Sequence, residues 1–289
     1  MTRVLVLGST GMLGSAVEHV LRESVVEVIT ASRTQGVRFD AEDLGAEALV
    51  TATGLSTGDY IVNCVGLTKA RIDESSRASR DLAVKLNIEF PSNLAGAAEQ
   101  SGIRVIQVAT DCVFSGTAGN YFEVSSHDAL DVYGKTKSLG EVPSENVMHL
   151  RCSLVGPEIG RSSLFFEWVR HQPQGAKVSG YTNHIWNGLS SRAFGKVVRG
   201  IIEKDLFSAG VQHLVPANQV TKDELVRMEL AALGRADVSV QSVAADIAVD
   251  RTLKTENSKQ NRELFLAAGY LEIPTIEQMV LEACENLPN

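Results

Sequence analysis

The sequence is poor in the features that mark disulfide-bonded and metal-binding proteins. Its four cysteines form no C-x-x-C pair, and three of them lie in apolar runs. We therefore expect reduced, buried thiols in a cytoplasmic protein. Cysteine and histidine do not cluster at metal-ligand spacing, so no metal is predicted. The cysteines are Cys64, Cys112, Cys152 and Cys284.

Long apolar runs and excess positive charge are also absent. No segment reaches 18 uninterrupted apolar residues, which argues against a membrane span. The N-terminus enters an apolar strand at once, without a charged leader or cleavage signature, so a cytoplasmic location is expected. Lysine and arginine total 27 against 35 acidic residues, a net charge of −8. This balance argues against nucleic acid or an anionic membrane as the main partner.

The pattern of the chain predicts an α/β protein. Apolar, β-branched runs at 3–7, 26–31, 60–65 and 104–109 alternate with segments of helical period, the order that forms a parallel sheet. We predict a Rossmann-type doubly wound sheet over residues 1–153 and a smaller C-terminal substrate-binding lobe over 154–289. The chain has no clean linker, so that boundary is approximate and the lobe is expected to share the core of the sheet.

A glycine-rich loop follows the first predicted strand. Gly8, Gly11 and Gly14 have the spacing G-x-x-G-x-x-G, and a helix follows. This order predicts a dinucleotide site: Gly8 allows the turn, Gly11 lets a pyrophosphate approach, and Gly14 lets the helix pack on the strand. The free N–H groups of the helix N-terminus then face the phosphates. The alternative is a strand–turn–helix whose glycines serve geometry alone.

The end of the second predicted strand bears on the choice of cofactor. Ser32 and Arg33 stand where an acidic residue would accept from a ribose hydroxyl, and a hydroxyl beside a guanidinium suits a 2′-phosphate instead. We therefore expect NADPH rather than NADH, the alternative being that Arg33 is a solvated loop residue. Asp40, after the third strand, either accepts from an adenine amino group or caps the next helix.

Tyr133 and Lys137 are four residues apart in a segment predicted to be helical. They would share one helix face, where a cation lowers the pKa of a phenol and prepares it for proton transfer. Thr110 follows the apolar strand 104–109 and would orient a substrate oxygen at the carboxyl edge of the sheet. For Tyr133 and Lys137 the alternative is a solvated helix face, and for Thr110 a strand-end turn residue.

Taken together, four stretches resemble the extended short-chain dehydrogenase/reductases, and within them the dTDP-4-dehydrorhamnose reductase branch. The stretches are residues 8–14 (GSTGMLG), 109–116 (ATDCVFSG), 133–141 (YGKTKSLGE) and 180–188 (GYTNHIWNG). The resemblance covers residues 1 to about 205. Cys112 stands where the related 4,6-dehydratases carry a glutamate, which disfavours a dehydratase.

The resemblance implies a role for each matching residue. Thr110, Tyr133 and Lys137 would be catalytic, with Tyr133 as the acid and Lys137 lowering its pKa and holding the nicotinamide ribose. Met12 and Leu13 would join the three loop glycines at the pyrophosphate. The remaining contacts would be Gly66 and Asn87 at the cofactor, and Asp111, Val113, Trp186 and Asn187 at the substrate.

The second half of the chain is less distinctive. We expect a helix over 163–171, a polar and aromatic loop over 175–191 that contacts a sugar or base, and helices over 192–204 and 222–233. For Trp186 the alternative is a packing anchor. Arg251 either clamps a diphosphate, which a guanidinium matches in geometry, or pairs with Asp250.

These observations favour an NADPH-dependent reductase of a nucleotide-activated 4-keto-6-deoxy sugar. Hydride would reach the ketone carbon while Tyr133 protonates its oxygen. Two alternatives stay open: an epimerase of the same superfamily, and a regulatory subunit like the methionine adenosyltransferase β subunit. A homodimer is compatible with either enzyme.

Overall fold

The apolar runs form the strands of a seven-stranded, all-parallel sheet. The computed structural model describes residues 1–43, 45–159, 164–285 and 287. In chain order the strands are β1 (Arg3–Leu7), β2 (Glu27–Ser32), β3 (Val37–Arg38), β4 (Tyr60–Asn63), β5 (Arg104–Ala109), β6 (Val147–Arg151), β7 (Leu154–Val155), β8 (Lys177–Tyr181), β9 (His184–Trp186), β10 (Leu189–Ser190), β11 (Gly210–His213), β12 (Val220–Thr221), β13 (Ser239–Val243) and β14 (Val249–Asp250).

Helices flank the sheet, and most of their predicted positions are confirmed to within a few residues. The predicted helix over 163–171 is observed from Phe165, and its expected start at Ser163 lies outside the described residues. The α-helices are α1 (Met12–Arg22), α2 (Ala46–Thr53), α3 (Arg77–Val84), α4 (Phe90–Ser101), α5 (Val132–Leu139), α6 (Phe165–Arg170), α7 (Ser191–Glu203), α8 (Lys222–Ala232), α9 (Ser258–Ala267) and α10 (Ile276–Glu285).

The sheet has the order β3-β2-β1-β4-β5-β6-β11 and a hydrophobic core on each face. Along β1, Val4 and Val6 pack into one core while Leu5 and Leu7 pack into the other, and all four are fully buried. A parallel strand covered on both faces needs such an unbroken apolar run. The predicted Rossmann-type doubly wound α/β fold is thus confirmed.

A smaller lobe follows β6, and here one prediction was wrong. The segment 175–191, expected as a loop, contains β8, β9 and β10. β8 pairs in parallel with β13, and β9 lies between β12 and β14. These partners lie 30 or more residues away along the chain, so no local pattern shows the pairing. β11 returns to the main sheet beside β6, which joins the lobe to the sheet.

A buried charged network lies at the end of β6. The Arg151 side chain is 1% exposed, and its guanidinium donates to both carboxylate oxygens of Glu141 and to ring nitrogens of His213 and His127. Its Cζ also lies 5.3 Å from the ring centroid of Phe114. A buried guanidinium needs this many partners, because an unpaired charge in the core is costly.

Among the described residues, no helix is both long enough and apolar enough to cross a membrane.

His213 makes the stability of the fold depend on pH. Burial and the neighbouring Arg151 lower the pKa of this imidazole to about 4. Its Nδ1 lies 2.6 Å from the Lys254 carbonyl oxygen and its Nε2 lies 2.7 Å from Arg151 Nη1, which fits a neutral ring. Below pH ~6.5 the unfolded state takes up a proton that the folded state refuses. The free energy of unfolding should therefore fall as the pH drops from ~6.5 towards 4, by up to about 3 kcal/mol.

Urea denaturation at several pH values measures this loss. A His213→Gln variant keeps a polar side chain without an imidazole, so its unfolding free energy should vary less between pH 6.5 and 4.5. An equal slope in the variant and the wild type would contradict the assignment.

Candidate functional site

The candidate site lies at the carboxyl edge of the sheet, where the chain reverses its winding direction. β1 pairs with both β2 and β4, so the strands on its two sides are connected in opposite directions. The loops that follow β1 and β4 diverge there and leave a crevice, the usual ligand position in doubly wound sheets. The motifs predicted to bind the cofactor lie in these loops.

Two glycines of the loop after β1 are required by its geometry. Gly8 has φ of +75°, a backbone conformation that side chains disfavour. A Cβ on Gly14 would lie 2.1 Å from the Gly8 carbonyl oxygen, so α1 can pack on the loop only through glycine. At Gly11 a Cβ would lie 3.3 Å from the same oxygen, a much milder contact.

The N-terminus of α1 fits an anionic ligand. Gly11 is its N-cap, no side chain caps the helix, and no acidic residue lies in its first turn. The positive end of the helix, with the N–H groups of Met12 and Leu13, is therefore available. Ser9 Oγ is buried and lacks a hydrogen-bond partner within the described chain. A buried hydroxyl without a partner is costly, and a phosphate oxygen would provide one.

A cleft of about 630 Å³ continues from the end of β2 past β3. Arg33, Arg38 and Asp40 line it, and the Asp40 carboxylate also accepts from the Glu42 N–H. The Ser32 hydroxyl accepts from the Gln35 N–H at 2.7 Å and donates to the Gln35 carbonyl, so it mainly shapes the turn. The cleft has the size and the two guanidinium groups that a phosphorylated adenosine requires.

Thr110 and Tyr133 meet at the end of β5. Thr110 is the N-cap of a single 3-10 turn, Asp111–Val113, and its hydroxyl accepts from the Cys112 N–H at 3.2 Å. The same hydroxyl donates to Asp111 Oδ1 at 3.2 Å, and its proximity to the Tyr133 phenol favours the phenolate. Asp131 caps α5 by accepting from the Gly134 N–H.

The expected lowering of the Tyr133 pKa by Lys137 is not observed. Burial raises the pKa of the Tyr133 phenol, and the hydrogen bond from Thr110 opposes this only in part. Lys137 instead donates to the Val108 carbonyl oxygen at 2.9 Å, and burial lowers its own pKa to about 8. At neutral pH the phenol therefore keeps its proton, the form that a proton donor needs.

Gly66 and Asn87 lie behind Lys137. A Cβ on Gly66 would lie 3.3 Å from Asn87 Oδ1 and 4.0 Å from Lys137 Nζ. The Asn87 amide is fully used by the chain: it accepts from the Leu67 N–H and donates to the Leu67 carbonyl and Thr136 Oγ1. Asn87 thus orders the loop after β4, and its side chain has no donor left for a cofactor.

Cations surround the turn that carries Thr110. Burial raises the pKa of the Asp111 carboxyl, and the charges of Arg251 and Lys222 oppose that shift. Arg251 Nε donates to the Phe114 carbonyl at 2.9 Å, which directs the guanidinium towards this turn rather than to Asp250. The Asp250 carboxylate instead accepts from the backbone and hydroxyl of Thr252.

The other predicted substrate contacts have structural partners. Val113 is fully buried in a small core with Phe114 and offers no surface to a ligand. The Asn187 amide binds both backbone groups of Leu253. The Trp186 side chain is 5% exposed, and its indole N–H donates to Ser153 Oγ.

No group of three or more His, Cys, Asp or Glu residues in the described part of the chain has the geometry of a metal site. Sequence analysis missed three residues around the site: Ser9, Arg38 and Lys222. Ser9 could have been identified from the sequence, because it lies within the glycine motif. Arg38 and Lys222 resemble ordinary surface cations in the sequence, and nothing local distinguishes them.

The chain belongs to the family described as RmlD substrate binding domain, whose model matches residues 1–288. The β subunit of methionine adenosyltransferase 2 from Xenopus laevis is 36% identical over 141 residues. That match covers 48% of this chain and only 41% of the relative. A probable low-salt glycan biosynthesis reductase, Agl14, from Haloferax volcanii is 27% identical over 84% of both chains.

Solved structures show the same fold. A dTDP-4-dehydrorhamnose reductase from Bacillus anthracis, in complex with NADP, superimposes with a TM-score of 0.79. It is 19% identical, and the match covers 98% of this chain and 99% of that one.

Replacing Gly14 by Ala should disrupt the loop after β1. The new methyl would meet the Gly8 carbonyl oxygen, so the loop or α1 must shift. We expect a lower melting temperature and at least tenfold weaker dinucleotide binding, the equivalent of about 1.4 kcal/mol. Thermal unfolding and NADPH fluorescence titration measure both effects.

Gly96 provides the matched control. It lies within α4, where a Cβ would meet nothing within 4 Å. Gly96→Ala should leave dinucleotide binding unchanged and stabilise the helix by ~0.5–1 kcal/mol. Equal effects of the two substitutions would show that the loop contact is unimportant.

Proposed function

We propose that the chain is an NADPH-dependent reductase that acts on a nucleotide-activated 4-keto-6-deoxy sugar. The observation that supports this proposal is the position of Thr110 at the end of β5 and of Tyr133 and Lys137 on α5, with the Thr110 hydroxyl close enough to the phenol to influence its pKa. The loop after β1 adds a helix N-terminus that no side chain caps. The family and the names of its relatives support a sugar-nucleotide substrate.

Each of the three side chains has a distinct task in ketone reduction. A nicotinamide dinucleotide supplies a hydride when it is bound. Tyr133 holds the proton that the new alcohol oxygen takes, and its raised pKa keeps that proton in place until the oxygen becomes basic. Thr110 orients the carbonyl oxygen towards the phenol. Lys137, with a pKa of about 8, stabilises the phenolate that proton transfer leaves behind.

Residues around the crevice also fit the cofactor. Gly8, Gly11, Met12, Leu13 and Ser9 would hold the pyrophosphate through backbone N–H groups and one hydroxyl. Arg33 and Arg38 would pair with a 2′-phosphate, while Asp40 accepts from adenine. On the substrate side, Asp111 and Arg251 would contact the nucleotide sugar.

Tyr133→Phe should lower turnover roughly 10²–10⁴-fold, the usual contribution of a positioned acid, and leave NADPH affinity unchanged. The measurement is NADPH oxidation with dTDP-, UDP- and GDP-linked 4-keto sugars. Tyr60→Phe is the matched control, because Tyr60 starts β4 at the opposite edge of the sheet and its hydroxyl binds Arg104. Near-normal turnover of Tyr133→Phe would refute the assignment, and substrate interconversion without net NADPH consumption would identify an epimerase.

The two cleft arginines should determine the choice of cofactor. Arg33→Ala and Arg38→Ala should each weaken NADPH binding about 10–100-fold, the worth of a hydrogen bond to a charged group, and change NADH binding little. Fluorescence titration with both dinucleotides gives the two affinities. An equal loss for NADH would place these arginines away from the 2′-position, and preference of the wild type for NADH would overturn the NADPH proposal.

A second candidate follows from the Xenopus relative, whose name describes a subunit. In this case the chain would bind and regulate a partner enzyme, and its nucleotide site would serve that role. Co-purification with a partner from the native source, without NADPH oxidation on any keto sugar, would favour this candidate.

A further inference from the structure

We infer that Lys222 is an anion-binding residue of the substrate pocket and pairs with a negatively charged oxygen of the substrate. The inference rests on the proposed function and deepens it. In the proposed substrate this oxygen belongs to the diphosphate, because a 6-deoxy sugar has no carboxylate at C6. A carboxylate on the sugar would present the same charge to an ammonium group but would identify a different sugar.

The Lys222 ammonium is held between two aromatic rings. Its Nζ lies 4.3 Å from the ring centroid of Phe165 and 5.0 Å from that of Trp186. The faces of these rings attract a cation and restrict a long, flexible side chain. Phe165 starts α6 and Trp186 ends β9, so two elements of the lobe fix the position of a residue on a third. The indole expected to contact the sugar thus serves as a platform for the lysine.

The carboxylates next to Lys222 in the chain are engaged elsewhere. Asp223 pairs with Arg227 at 3.0 Å, and Glu224 completes a capping box with Thr221. Within the described ranges, Lys222 has no carboxylate within ion-pair distance. A half-buried cation without a counter-ion is costly, and an anion from outside would supply the missing partner.

The charge of Lys222 interacts with the turn that carries Thr110. The groups that face Lys222 electrostatically are Asp111 and Cys112 after β5 and Glu229 on its own helix. The turn of Asp111 and Cys112 begins at Thr110, which would hold the reacting carbonyl. An anion at Lys222 would therefore belong to the same substrate molecule.

The charge of Lys222 also interacts with a buried carboxyl group on the same helix, that of Glu229. It lies seven residues along α8, has no exposed surface, and neither carboxylate oxygen has a hydrogen-bond partner in the described structure. Burial raises its pKa to about 8; Lys222 opposes this shift and the Glu167 carboxylate adds to it. Burial also lowers the pKa of Lys222 to about 8. The two groups are therefore coupled electrostatically, and a bound anion would keep Lys222 protonated.

The first test is binding to the NADPH-saturated protein at pH 7, measured by calorimetry with UDP, dTDP, GDP, UDP-glucose and UDP-glucuronic acid. Lys222→Met should weaken, by about 10–100-fold, the binding of each probe whose anionic group contacts Lys222. Lys222→Arg should retain most of the affinity. Lys204→Met, an exposed lysine at the end of α7, is the matched control and should bind as the wild type does.

The probes distinguish the two sources of the anion. Weaker binding of the nucleoside diphosphate identifies a phosphate oxygen as the ligand of Lys222. Loss only of a preference for UDP-glucuronic acid over UDP-glucose identifies a sugar carboxylate and contradicts the 6-deoxy sugar of the proposed function. Unchanged binding of every probe overturns the inference and leaves the proposed function intact, whereas a wild-type protein that binds none of the probes overturns both.

The second test is the pH dependence of affinity for the probe that the first test identifies as binding through Lys222, from pH 7 to 9.5. Wild-type affinity should fall as the pH rises through about 8, because Lys222 then loses its proton. Lys222→Arg should remove this fall, and Glu229→Gln should move it to lower pH by withdrawing the supporting charge. A purely structural role for Lys222 would alter the melting temperature but leave the pH profile unchanged in both variants, and that result would refute the inference.

Discussion

The buried amide of Asn87 joins the two parts of the chain that form the candidate site. Its Oδ1 accepts from the Leu67 N–H at 2.8 Å, and its Nδ2 donates at 3.1 Å to both the Leu67 carbonyl and Thr136 Oγ1. Thr136 lies on α5 between Tyr133 and Lys137, so this amide fixes α5 against the loop after β4. A Cβ on Gly140 would lie 1.8 Å from the Asn87 carbonyl oxygen, so the helix can end this close only at glycine.

The backbone around Asn87 is adapted to this task. Residues Lys85–Glu89 form a π-helical turn between α3 and α4, and Pro91 lies in the first turn of α4. Proline lacks an N–H and removes one i→i−4 hydrogen bond from a helix, and the α-helical pattern changes to the π turn directly before Phe90. The contacts that Asn87 makes from this turn, to Leu67 and Thr136, join residues that are distant in the chain.

The difference between features set by local sequence and features set by contacts between distant residues explains which elements could be predicted. β1 and β5 are confirmed at their predicted bounds, Arg3–Leu7 and Arg104–Ala109, because strands buried on both faces are continuous apolar runs. The strands of the lobe are only two to five residues long and pair across long separations. For the candidate site, helical spacing predicted that Tyr133 and Lys137 share a helix, which α5 confirms. It did not predict the direction of the phenol's pKa shift, because burial is a property of the folded chain.

The site also shows why net charge is a poor guide to local chemistry. The chain carries a net charge of −8, yet Lys69, Lys222 and Arg251 all act on the turn at Asp111 and Cys112. Lys69 is neutralised by Asp131 at 2.8 Å, and Arg251 is anchored to a carbonyl oxygen. Lys222 differs from both because aromatic rings rather than acceptors hold it. A cation placed over rings keeps its hydrogen-bond donors for a ligand, whereas a salt-bridged lysine must first give up its partner. An anionic substrate that binds Lys222 would not have to displace a carboxylate from it. This would set the affinity of the pocket for an anionic substrate more than the number of positive charges around it.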